Sequence, residues 1–318
     1  MCGIVTSGAY VCQGANESLL LFDVGGSHIA AGLSGLNGRV SNAPETAPVT
    51  KNGNLTEFIN TLEMVGKRAL HGESVPTGIS LAMPDPFDYR RGISYMRHKY
   101  EYLYGVELPS KLSAVFCCPP ENINFLNDAQ AFLIGELDQG AGQHFDRLVG
   151  ITLGTGVGSA FASGGEIVTV GPGVPMNGEI WNLPYKRGTV ENYISAGAIQ
   201  ELFIHRTGIS AEVRAIAEWS ESSPEARQTF EELGQELGSV LRTTCVAFNP
   251  QRIILGGGIS RSAALFVPFA EQELQGLDIQ VCVSKLGERA ALIGAAADWL
   301  KKHQYISRCK DAMPSPEK

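Results

Sequence analysis

Three glycine turns and a handful of acids hold the residues of this chain that could do chemistry. Asp23 stands just before Gly25-Gly26-Ser27, the apolar run 148–153 ends in Gly154-Thr155-Gly156, and "RIILGGG" ends in Gly257-Gly258. Glycine turns between strands bring unobstructed backbone N–H groups to a point, and such nests bind phosphate oxygens. Four more positions draw attention: the adjacent Asn127 and Asp128, and the acids Glu179 and Glu191, with no histidine or cysteine between Gly178 and Ser195. Carboxylates make strong hydrogen bonds to hydroxyl groups. Each acid also has a plainer reading. Asp23 suits a strand end that accepts turn N–H groups, and Asn127-x-x-Gln130 suits a helix cap. Glu191 suits the first turn of a helix after Thr189, and Glu179 a solvated loop. The residues alone leave both readings open.

The common phosphate motifs do not match. A Walker A loop needs G-x-x-x-x-G-K-[ST], and Gly66-Lys67 lacks both the upstream glycine and the following hydroxyl. A dinucleotide fingerprint opens a helix, whereas "GTGVG" has other spacing and leads into "VGSAFA", which reads as a strand. What remains is a fold that grips phosphates between two hairpin turns.

The elements that must position these residues read as α/β. "LLLFDV" and "SHIAAGL" form a strand–turn–strand unit, and "LVGITL", "VGSAFA" and "GGEIVTV" repeat that plan half a chain later, which suggests an internal duplication. Ser223 and Pro224 predict the start of a long helix with Phe230, Leu233, Leu237, Val240 and Leu241 at helical spacing. "SRSAALFVPFAEQELQ" and "RAALIGAAADWLKKH" predict two more, and "YMRHKYEYLYG" (95–105) a further one with a mixed face. Strands alternating with helices define the class.

Composition narrows the partners. The 318 residues suggest two domains, and 44% apolar with 18% charged residues supports a sizeable core. A net charge of −8 without a run of cations argues against nucleic acid as the main partner. No apolar run reaches the length of a spanning helix, so no membrane association and a cytoplasmic location are expected. Seven cysteines without a C-x-x-C pair suit free thiols in a reducing compartment. "MCGI" matches the start of amidotransferases with an N-terminal cysteine nucleophile, but the small, polar segment behind Cys2 reads as a loose leader.

"FDVGG" (22–26), "GITLGTGVGSAF" (150–161) and "IILGGGIS" (253–260) resemble, in order, the two phosphate motifs and the adenosine motif of the superfamily of actin, hexokinase and the 70-kDa heat-shock proteins. Within it, "GISLAMPDPFD" (78–88), "FLNDAQAFLIGE" (125–136), "GTVENYISAGAI" (188–199) and "GERAALIGAAA" (287–297) resemble segments of the ROK family of sugar kinases and repressors, over about residues 19–300. The resemblance implies a two-domain actin-like (ribonuclease H-like) fold with a cleft. Its small domain would be 1–126 with 291–303, its large domain 127–290, and its tail 304–318. It implies an ATP-dependent hexose kinase acting on glucose or a close relative, at the 6-position. Asp128 would be the general base, Asn127, Glu179, Asn182 and Glu191 the sugar contacts, and Asp23 would face Mg²⁺ through water. Gly25, Gly26, Ser27, Gly154, Thr155, Gly156, Gly257 and Gly258 would hold ATP. A non-catalytic sugar or nucleotide sensor is the alternative. Family analogy also suggests a homodimer, and the short stretch before the first strand argues against the repressor branch with its winged helix. One departure is plain. Where the family pattern has Glu-x-Gly-His and a cysteine knot for zinc, this chain has Glu179-Ile180-Trp181-Asn182 and then Thr189, so a site without zinc is expected.

Overall fold

A computed structural model describes residues 17–50, 52–72, 75–97 and 99–311; Cys2 lies outside the described residues. The first sheet contains β1 (Ser18–Val24), β2 (His28–Gly35), β3 (Val40–Pro48), β4 (Gly78–Met83) and, after the two-residue hairpin β5 (Phe87–Asp88) and β6 (Ile93–Ser94), β7 (Ile123–Asn127). Its order is β3-β2-β1-β4-β7; β1, β4 and β7 run parallel, and β2 pairs antiparallel with both β1 and β3. The second sheet holds β8 (Arg147–Leu153), β9 (Val157–Ser163), β10 (Glu166–Val168) and, after a second small hairpin of β11 (Pro184–Tyr185) and β12 (Gly188–Thr189), β13 (Arg252–Gly256) and β14 (Gln280–Val283). Its order, β10-β9-β8-β13-β14, repeats the first sheet strand for strand and sense for sense. The duplication suggested by the two hairpins is therefore a duplication of topology.

Helices α1 (Leu55–Leu70) and α2 (Leu108–Phe116) pack on one face of the first sheet, around Phe22, Phe58, Leu62, Leu81 and Leu112. The second sheet is covered by α4 (Glu191–Ile194), α5 (Ala196–Thr207), α6 (Val213–Trp219), α7 (Pro224–Thr244) and α8 (Val267–Glu273). Ser223 caps α7 by accepting from the Ala226 N–H, and Phe230, Leu233, Leu237, Val240 and Leu241 are all buried, as their spacing predicts.

Two helices lie between the sheets. Helix α3 (Asp128–Gln139) follows a strand of the first sheet yet packs on the second, through Ala129, Phe132 and Leu133. Helix α9 (Ala290–Asp311) follows a strand of the second sheet and packs on the first, through Leu292, Ile293, Ala296 and Trp299. They cross at Gly135 and Gly294, where a side-chain carbon would run into the backbone carbonyls of Ala290 and Ala131. The exchange ties each half to the helix that follows the other half's sheet. Helix α9 continues past residue 303, where the tail was expected to begin.

Two expected helices are corrected. The expected helix 95–105 includes His98, which lies outside the described residues; the described residues around it form irregular chain with a 3₁₀ turn, Glu101–Leu103, because Tyr100 and Gly105 take left-handed backbone conformations that a helix cannot contain. The segment 260–275 is a 3₁₀ stretch, Gly258–Leu265, followed by α8; Ser262 departs from helical geometry, and α8 starts afresh with Pro268 in its first turn.

Candidate active site

The parallel strands of both sheets end on the same side of the turns they feed, the usual place for a site in α/β sheets. The turn after β1 closes with the Gly25 N–H donating to the His28 carbonyl (3.0 Å). It is braced from below by Tyr100, a buried residue whose hydroxyl donates to the Gly25 carbonyl. The turn after β8 closes with Gly154 N–H donating to Gly156 carbonyl (3.0 Å). The two turns meet: a side-chain carbon on Gly26 would lie 3.3 Å from Cβ of Thr155. The third turn adjoins the second, since Gly257, at φ 81°, backs so closely onto Leu153 that no side chain could stand there. Gly258 is exposed with open space in front of it. All the predicted phosphate glycines thus belong to turns around one cleft.

Glu191 has a place in this scaffold. Its Oε2 accepts from the Val157 N–H (2.9 Å), at the start of the strand that leaves the second turn. Asp128 opens α3 beside the cleft. The cap of that helix is made by Asn127, whose Oδ1 accepts from the Gln130 N–H (3.0 Å), while Asp128 Oδ1 accepts from the Ala129 N–H (2.8 Å). Burial raises the Asp128 pKa, and the positive charge of Lys99 and the Ala129 N–H pull it back. Lys99 stands between Asp128 and the second turn, with Nζ 3.5 Å from where a side-chain carbon of Gly156 would be. Asp23, at the end of β1, is pushed up to about 7 by burial and by the charges of Asp128 and Glu288.

At the edge where β4 and β7 end, Asn127 Nδ2 donates to Asp85 Oδ2 (2.6 Å) and to the Tyr89 hydroxyl (3.3 Å), which itself donates to the Met83 carbonyl (3.0 Å). Glu179, from the second half of the chain, lies near enough to Asp85 for its charge to act on that carboxyl, and it accepts from Trp181 Nε1 (3.1 Å). Asn182 lies exposed on the following turn. Trp181 packs on the core of the second half. Among the described residues no group of three His, Cys, Asp or Glu side chains is arranged to hold a metal ion.

The structure therefore adds Asp85, Tyr89, Lys99 and Tyr100 to the residues read from sequence. Asp85 and Tyr89 fall in or beside "GISLAMPDPFD", where an acid in a Gly/Pro loop was the available signal. Lys99 and Tyr100 gave none, being one cation and one aromatic in a tyrosine-rich stretch.

The Asp85–Glu179 contact has a consequence for stability. Burial, and then the Glu179 charge, raise Asp85 from 3.8 to about 6, against the pull of the Asn127 and Tyr89 hydrogen bonds. The folded chain thus holds an extra proton here between about pH 4 and 6, so this group's contribution to stability falls as pH rises through that window. Asp85→Asn removes the contribution and is expected to be more stable than the parent at pH 7 by about 1–3 kcal/mol relative to pH 4. Urea unfolding of both proteins across that range reads the difference; parallel curves would mean that folding does not raise the proton affinity of Asp85.

The chain matches the ROK family over residues 20–302 and belongs to it. It is 27% identical over 312 residues to the glucokinase of Thermotoga maritima, covering 88% of this chain and 96% of the relative. It is 23% identical over 272 residues to the N-acetyl-D-glucosamine kinase of Salmonella typhimurium, covering 79% and 87%. Among solved structures, the ROK glucokinase of Streptomyces griseus in complex with glucose and AMPPNP superposes with a TM-score of 0.74 at 24% identity, over 88% of this chain and 98% of that one. The fold is thus the two-domain actin-like fold with a cleft between its halves. Among the described residues no helix is long and apolar enough to cross a membrane.

Proposed function

We propose that this chain is an ATP-dependent hexose kinase, with glucose or a close relative as its substrate and a primary hydroxyl as the acceptor. The observation that carries the reading is the meeting of the two glycine turns beside Asp128, which sets a phosphate cradle next to a carboxylate of raised proton affinity. Relatives named for glucose and N-acetylglucosamine phosphorylation support the sugar class, as does a neighbour that binds glucose with an ATP analogue.

Phosphoryl transfer needs an aligned hydroxyl, an acceptor for its proton, and charges that hold the phosphoryl oxygens. In this reading Gly25, Gly26, Ser27, Gly154, Thr155 and Gly156 hold the phosphates, and Gly257 and Gly258 lie against the adenosine. Asp128 takes the hydroxyl proton, and burial raises its proton affinity in the direction a proton acceptor needs. Lys99 supplies positive charge between the base and the second turn. Glu179, Glu191 and Asn182 face the sugar hydroxyls. The chemistry of Asp23, an acid held among Asp128 and Glu288, suits a divalent cation, and Asp23 would hold Mg²⁺ through water. Mg²⁺ there would neutralise charge on the phosphate oxygens. Closure of the two halves would exclude water and so suppress ATP hydrolysis.

The test is ADP release with Mg²⁺ and ATP across a panel of hexoses and N-acetylhexosamines. At least one sugar is expected to raise the rate at least about 100-fold over ATP alone, as a positioned acceptor should. If no sugar raises it, while sugars still raise the melting temperature, the chain is a sensor and not a kinase.

A further inference from the structure

Hydrogen-bond accounting at Asn127 reassigns the recognition expected of that residue. An asparagine amide has two hydrogens to donate and one oxygen to accept. The oxygen of Asn127 caps α3 through Gln130, and the nitrogen donates to Asp85 (2.6 Å) and Tyr89 (3.3 Å). Its donors are occupied within the protein. The group that Asn127 holds in place is a carboxylate, on the loop that leaves β4 beside the end of β7. Met83 of β4 pairs with Asn127 of β7, so the loop that follows starts at the very edge that carries Asp128.

Asp85 is also where the two halves of the molecule touch at the sugar side. The charge of Glu179 acts on Asp85 from the segment that packs on the second sheet through Ile180 and Ser159, while Asn127 holds Asp85 from the first sheet's edge (2.6 Å). Two neighbouring carboxylates repel, and a hydrogen supplied between them relieves the repulsion. A ligand that brings hydroxyl hydrogens into that gap satisfies both acids at once.

We propose that Asp85, seated by Asn127 and Tyr89, is a specificity-determining residue that accepts a hydroxyl hydrogen from the sugar opposite Glu179. The proposal rests on the sugar-kinase reading. An ionised carboxylate only accepts, so the substrate position it reads must donate. A hexose with a free hydroxyl there binds, and the same hexose lacking that one hydroxyl binds poorly. Asn127 becomes a positioning residue, acting through Asp85.

Calorimetric sugar binding to the full chain tests Asp85, and ADP release separately tests the kinase reading, so either can fail alone. The parent hexose and its monodeoxy analogues are titrated into the wild type, Asp85→Asn and Asp85→Ala. Asp85→Ala is expected to weaken the best-bound hexose about 10- to 100-fold, the range for a hydrogen bond to a charged group. One deoxy analogue, bound at least about tenfold more weakly than its parent by the wild type, is expected to bind Asp85→Ala as well as the parent does. The other deoxy positions keep their penalties. A merely structural residue would weaken all analogues alike. Asp85→Asn keeps the shape of the loop, so the outcome does not depend on how well the alanine variant folds. Binding within twofold of wild type in both variants, equal penalties at every position, or no sugar binding to the wild type would each overturn the proposal.

Discussion

Asp128→Asn is expected to lower sugar-dependent ADP release by about 10²- to 10⁴-fold, the range of a general base's contribution, while changing sugar affinity less than about threefold. The structure explains why the two effects should separate. The substitution keeps the shape of the side chain, and an amide oxygen still accepts from the Ala129 N–H. The helix cap, which would have made Asp128 structural, is made by Asn127. What is lost is the proton acceptor, together with the charge that Lys99 faces. Enzyme kinetics and calorimetry on the same preparation measure both quantities. Loss of binding and activity together, with a lower melting temperature, would return Asp128 to a structural role.

Gly294→Ala is expected to destabilise the fold by about 2–3 kcal/mol or more, a large cost for adding one methyl group. Helix α9 meets α3 backbone to backbone, and a carbon on Gly294 would sit inside contact distance of the Ala131 carbonyl oxygen. That oxygen belongs to a helix backbone and cannot swing aside, so the helices must part. They are the two that join the sheets, so parting them also disturbs the cleft. Gly197→Ala is the matched control. It lies exposed on α5 with only the Ser195 hydroxyl near, and the helix propensity of alanine should make it neutral or stabilising by up to about 1 kcal/mol. Denaturant midpoints compare the pair. A Gly294→Ala protein as stable as the wild type would show that α3 and α9 do not cross as described.

The glycine turns and their flanking strands were legible because hairpins around phosphate nests are local in sequence. Asn127-x-x-Gln130 was legible in one of its two senses, and the structure shows that sense to be true of Asn127 itself. What the chain did not reveal depends on distant contacts. Tyr100 supports Gly25 from a segment that looked helical until its left-handed backbone was seen. The second partner of Glu191 was also hidden, since one of its oxygens accepts from the Val157 N–H at the start of the strand after the second turn. Asp85 drew no notice, because the significance of an acid in a Gly/Pro loop depends on Asn127 and Glu179, 42 and 94 positions further on. The two crossing glycines, Gly135 and Gly294, stood inside quoted motifs, but only the packing of α3 on α9 shows what they are for.

The central claim is that Asp128 draws a proton from a sugar hydroxyl held against the two glycine turns. Its most direct measurement is a single turnover with ATP labelled in its γ-phosphoryl group, using excess enzyme and the sugar it binds best. The account predicts that the label moves to the sugar with the wild type and stays in ATP with Asp128→Asn, although both proteins bind that sugar. Transfer by Asp128→Asn at the wild-type rate, or label released as free phosphate by the wild type with none on the sugar, would contradict it.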